Sequence, residues 1–220
     1  MRYCAVVFVL AACGGKLPPT RFYQLAEPAG KPAPASGVAL VVESLTTDAA
    51  YDDERMVYRV TPYRLDYYTY HRWSAAPGTL IANYLERAFE QSGKFGAVTR
   101  EPNPTAPVTL GGRVVAIEEV DQSKTRWIGR VVIELTLTNR GTGEVLWAEQ
   151  FEEAEPLASQ SPEGLARALS AALERIANRA VPIVSMLAAQ TAMHHETPTP
   201  TQGHAARLKP TQGRAARLKP

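Results

Sequence analysis

Between Arg126 and Thr138 apolar and polar residues alternate. Val131, Ile133, Leu135 and Leu137 fall on one parity, and Arg130, Val132, Glu134 and Thr136 on the other. A period of two marks a strand with one buried and one wet face. Asn139-Arg-Gly-Thr-Gly143 follows, with two glycines free to take positive φ, and Val145 to Phe151 returns. This is a hairpin. A chain built on so long a pair puts a sheet at its centre, and something must cover one face of that sheet.

Two amphipathic helices supply the cover. Ser74 stands where a cap would sit and Pro77 falls in the first turn, where a missing N–H costs nothing. Ile81, Tyr84, Leu85, Ala88 and Phe89 then form an apolar stripe, which Gly93 ends as a left-handed cap. The second helix starts at Ser161-Pro162-Glu163 and carries the stripe Leu165, Leu169, Leu173 and Ile176. Pro182 predicts its end or a kink.

The remaining strands are Val38 to Leu45, Met56 to Val60, Leu65 to Trp73, Phe95 to Thr99 and Val108 to Val120. Gly111-Gly112 predicts a bulge in the last of these. The polar stretches 46–54, 102–107 and 152–160 read as loops; Asp52-Asp53-Glu54 lacks the spaced ligand set of a metal site and reads as a solvated turn. The strand and helix count points to an α+β fold in one domain over residues 38–187.

Residues 1–12 have the layout of a secretory signal: Arg2, an apolar run, then small residues. Leu10-Ala-Ala-Cys13 resembles the bacterial lipoprotein lipobox, which needs small residues for the peptidase and a thiol to receive diacylglycerol. An ordinary signal peptide with a chance cysteine is the plainer alternative. Cys4 would be lost with the signal, leaving Cys13 as the lipidation site and no disulfide. Gly14 follows in place of the aspartate that tends to retain such proteins in the inner membrane, which favours the outer membrane. Residues 13–37, rich in Gly, Pro and Ala, read as a flexible tether interrupted by Phe22-Tyr-Gln-Leu25, an island that could dock as an edge strand. Residues 188–220 read as a disordered tail, in which TQGHAARLKP (201–210) is repeated as TQGRAARLKP (211–220).

A net charge of +2 argues against nucleic acid as a partner. Of the four histidines, His194, His195 and His204 fall in the tail, and His71 has no nucleophile or acid at a motif spacing. Glu118 and Glu119 point to opposite strand faces and cannot work as a pair. No catalytic residue, metal site or cofactor is expected, apart from lipid joined to Cys13. Binding is therefore the better reading.

Seven aromatic residues lie between Tyr58 and Tyr84. By parity Leu65, Tyr67 and Trp73 share one face of their strand, while Arg64, Asp66, Tyr68, Tyr70 and Arg72 share the other. Tyr68, Tyr70, Arg72 and Arg64 make a mixed aromatic and cationic strip of the kind found at protein interfaces. Cover by the domain's own helices explains the tyrosines equally well.

The lipobox, Tyr23-Gln-Leu25, Arg55-Met-Val-Tyr-Arg, Tyr-Tyr-x-Tyr-His-Arg-Trp73, Pro77 and Ser92-Gly-Lys-Phe95 together resemble the ABC-type transport auxiliary lipoproteins of MCE lipid-transport systems. The resemblance covers roughly residues 13–185 and leaves out the repeated tail. It implies a two-layer sandwich, an antiparallel-rich sheet covered by two helices, in a non-enzymatic lipoprotein facing the periplasm, which Gly14 assigns to the outer membrane. Its partner would be an MCE-domain protein, with a permease and an ATPase as indirect partners and a homo-oligomer as a further option. Two other classes stand beside it. One is an envelope assembly or secretion-system lipoprotein binding peptidoglycan or another lipoprotein, and the other is an envelope hydrolase.

Overall fold

The computed structural model describes residues 17–29 and 33–196. Cys13 and the repeated tail lie outside the described residues. The elements run β1 (Arg21–Tyr23), β2 (Ala39–Val42), β3 (Thr46–Thr47), β4 (Arg55–Thr61), β5 (Arg64–Trp73), α1 (Pro77–Gln91), β6 (Ala97–Thr99), β7 (Val108–Asp121), β8 (Trp127–Asn139), β9 (Val145–Pro156) and α2 (Pro162–Glu196). The nine strands form one sheet, and both helices pack on it in an α+β two-layer arrangement.

β7 is the axis of the sheet. Along one edge it pairs with the whole of β8, antiparallel, from Val108↔Asn139 to Asp121↔Trp127. Its other edge is filled end to end by three short parallel strands: β2 beside Val108–Leu110, β3 beside Arg113–Val114 and β4 beside Glu119–Val120. β6 adds to β2 in parallel, β5 to β4 antiparallel, and β1 to β5 in parallel. The sheet is therefore mixed. Its long ladders are antiparallel and its parallel pairings are short.

The alternation read in β8 holds. Val131, Ile133, Leu135 and Leu137 are fully buried. Gly129 continues this face, with Leu165, Ala168 and Leu169 of α2 lying over it. The turn is closed by the Gly143 and Asn139 backbone N–H groups and by the Asn139 carboxamide, which accepts from Gly141 and Thr142, with Gly143 at φ +74°. Gly112 (φ +153°) marks a close approach: a Cβ there would sit 2.0 Å from the Glu134 carbonyl oxygen. The register shift in β7 comes three residues later, between Val114 and Ala116, and not at the glycines.

Five further expectations are corrected. Ser74 does not cap α1; Ala76 is the N-cap, and its side chain cannot bond. The 46–54 stretch is not all loop, although residues 52–54 do form the turn expected of them, with Asp52 and Glu54 exposed. Thr46–Thr47 join the sheet, and Tyr51 turns inward to 6% exposure. The 152–160 stretch is strand as far as Pro156, because arginines meet its acids: Arg130 pairs with Glu152, and Arg175 with Glu153 and Glu155. Pro182 does not end α2, which runs on to Glu196 and takes in residues read as tail. Burial of Val181, Val184, Ala188 and Thr191 offsets the roughly 3 kcal/mol that an interior proline costs. Finally, the segment read as a free tether is docked. Leu25 is buried, Ala26 donates to Ser170, Ala33 donates to the Gln91 carbonyl, and Glu27 pairs with Arg87. The edge strand expected at Phe22–Leu25 is β1.

Candidate functional site

The aromatic block is shaped by an irregularity in β5. Arg72 faces Arg55 across the ladder and Tyr67 faces Val57, so five positions on β5 span two on β4. Parity fails across this bulge. Tyr68 and His71 would lie on opposite faces of a regular strand, yet their rings meet edge-on at 5.5 Å. The four strip residues therefore do not form one continuous row. Tyr68 stacks on Tyr58 with centroids 5.0 Å apart and donates its hydroxyl to Glu119 at 2.9 Å. His71 is tied to β1 through the Tyr23 hydroxyl, 2.8 Å from Nδ1. Tyr70 and Arg72 are half-buried, and Arg64 is exposed and paired with Asp66 at 2.8 Å. Tyr67 keeps to the other side, donating to the Ala50 carbonyl under the Arg55 guanidinium.

Two carboxyl centres lie on neighbouring residues of β7, on opposite sheet faces as the parity argument required. On the face away from the helices, Glu118 has a side-chain exposure of 0%. It accepts from Arg59 Nε at 2.9 Å, from Arg130 Nη1 at 2.9 Å and from the Tyr51 hydroxyl at 2.7 Å. The opposite charges and matched donors answer its burial. Burial and the Glu118 charge together push the Tyr51 hydroxyl up to about 12, so it remains a donor at neutral pH. A cleft of about 420 Å³ opens beside this network, lined by Arg59, Thr61, Pro62, Val120, Asp121 and Arg130.

On the helix-covered face Glu119 is 1% exposed. One of its oxygens accepts from Tyr68; the other, Oε2, is buried without a partner, as is Oδ1 of Asp121. Residues two apart on a strand share a face, so these two orphan acceptors belong to adjacent carboxyls. A single proton held between them satisfies both. Burial, more than the Asp121 charge, raises Glu119 to about 7, and burial raises Asp121 as well. Burial and the same carboxylates raise Tyr68. Sequence reasoning passed over this pair, although the Glu-Val-Asp spacing carried the signal. Among the described residues, no three His, Cys, Asp or Glu side chains gather as a metal-binding group, and no helix is long and apolar enough to cross a membrane.

A mixed sheet carrying two helices on one face, with an N-terminal strand docked at its edge, is a fold seen in solved structures. A Xanthomonas campestris protein of the DUF330 family matches with a TM-score of 0.68 at 22% identity, over 79% of this chain and 99% of that one. An uncharacterized protein matches with a TM-score of 0.62 at 14% identity, over 76% of this chain and 99% of that one. Curated proteins give no match. The family model described as ABC-type transport auxiliary lipoprotein component matches residues 23–181, and the chain belongs to that family.

Proposed function

We propose that this chain is a non-enzymatic, lipid-anchored auxiliary component of an MCE-associated ABC transport system that moves lipids across the cell envelope. Cys13 carries the lipid. The domain faces the periplasm from the outer membrane and works by docking to the MCE-domain protein, with permease and ATPase as indirect partners. The observation that carries this reading is the family match, which spans the folded unit from Tyr23 to Val181.

Docking in preference to chemistry is supported by the way the carboxyls are closed off. Glu118 is saturated by two arginines and a tyrosine, and Glu119 is engaged by Tyr68 and Asp121. A general base needs an accessible lone pair facing substrate. Tyr70 and Arg72 are the docking residues; Arg64, paired with Asp66 beside the β4–β5 turn, and Tyr68, bonded to Glu119, lie across the bulge from them.

Two experiments test the reading. Arg72→Glu combined with Tyr70→Ala is expected to reduce co-purification with the MCE partner by roughly tenfold, the loss expected of an interface anchor, while leaving the unfolding midpoint in place. Unchanged recovery would sink the docking face. Labelled palmitate should enter the wild-type chain and not Cys13→Ser, and equal labelling of the two would remove the anchor.

A further inference from the structure

The position of β1 sets where the anchored end of the chain leaves the domain. β1 runs parallel to β5, with Arg21 opposite His71 and Tyr23 opposite Trp73. Followed backward from Arg21, the chain leaves the sheet edge in the direction from which β5 comes, toward the β4–β5 turn at Pro62-Tyr63. Pro18 and Pro19 favour an extended course. From Arg21 back to Cys13 is eight residues, about 25 Å at 3.1 Å per residue. From His71 back to Tyr63 is also eight residues, roughly 26 Å of strand less the bulge. The leash is therefore just long enough to bring the lipidated cysteine level with this turn.

The end of the sheet reached in this way has a distinct surface. Tyr63 is 98% exposed, and Leu17, on the leash, is 79% exposed. Since β4 runs parallel to β7 beside Glu119–Val120, the β7–β8 turn, residues 122–126, projects at the same end. Its Lys124 and Arg126 are exposed and make no ion pair among the described residues. Tyrosine with an apolar body and a polar tip suits the headgroup level of a bilayer, and cations beside it suit anionic lipid.

We propose that the sheet end formed by the β4–β5 and β7–β8 turns rests on the lipid surface that holds Cys13, with Tyr63 inserted among the headgroups and Lys124 and Arg126 facing anionic phosphates. The domain is then held upright on the bilayer, with its opposite end, the β8–β9 turn, pointing away. This inference rests on the anchor assigned to Cys13 above.

The test uses the lipidated full chain in phosphatidylethanolamine–phosphatidylglycerol vesicles, with brominated phospholipid as the quencher. Tyr63→Trp reports on the near end, Val145→Trp on the far end, and wild-type emission is subtracted for the native tryptophans. Quenching of the Trp introduced at 63 should be roughly twice or more that at 145, and Lys124→Glu with Arg126→Glu should lower it by about half. Equal quenching at the two positions, with the protein floating on the vesicles, overturns the orientation alone. Failure of the wild-type chain to float with the vesicles overturns the anchor and this inference together.

Discussion

Glu118→Ala is expected to lower the stability of the folded domain by about 3 kcal/mol, within the range for breaking a buried ion pair from one side. The substitution takes the acceptor from two guanidinium groups that are only 25% and 32% exposed, and from the Tyr51 hydroxyl. The two arginines then face each other across a void, with the Tyr51 hydroxyl, the Pro62 carbonyl and Glu152 as their remaining partners. Glu118→Gln keeps an acceptor and the volume, and should cost less. Urea unfolding of both variants beside the wild type checks this. A loss under about 1 kcal/mol for the alanine variant would place the network no higher than an exposed surface pair.

The second large effect depends on pH. Glu119 holds its proton to about 7 in the folded domain, against an ordinary value of 4.5. Between those limits the folded state binds a proton that the unfolded chain has released. Stability from this group is therefore complete below about 4.5 and lost as pH rises through about 7, a slope opposite to that of a salt-bridged carboxylate. The loss should be on the order of 2 kcal/mol once relaxation around the pair is allowed for. Glu119→Gln can still accept from Tyr68 and can donate to Asp121, so it should flatten the profile and be more stable than wild type at pH 8. Unfolding midpoints measured from pH 5 to pH 8 read this directly. A variant with the wild-type slope would show that the proton lies elsewhere.

What the sequence disclosed follows the range of the interactions involved. The β8–β9 hairpin, the stripes of α1 and α2, the start of α2 at Ser161, whose Oγ accepts from the Gly164 N–H, and the Gly93 stop depend on residues a few positions apart, and each was legible. So was β1, whose apolar Phe22–Leu25 island stands out from its polar surroundings. The errors fall where a distant partner decides. Acids at 152–155 look solvated until Arg130, Arg175 and Arg179 are placed beside them. Tyr51 hides in a polar stretch because Glu118, its partner, lies far along the chain. The β5 bulge has no residue type that demands it, so parity carried Tyr68 and Arg72 onto one row. In the site itself, the opposed faces of Glu118 and Glu119 followed from spacing alone. The burial that turns Glu119 and Asp121 into a proton-sharing pair depends on how the sheet meets α2 and β5.

The placement of β7 has a consequence for how the chain is made. β2, β3 and β4 are all synthesised before it, and all three line up along its edge, although β4 also pairs with β5 and β2 with β6. β7 begins at Val108, near the middle of the 220-residue chain. The β1–β5–β4 piece and the β2–β6 piece therefore stay separate until β7 joins them, and that closure spans long sequence separations, which slows it. Export ahead of folding, which the anchor proposed on Cys13 requires, would be served by a sheet that closes only past its midpoint and so keeps the polypeptide loose during passage.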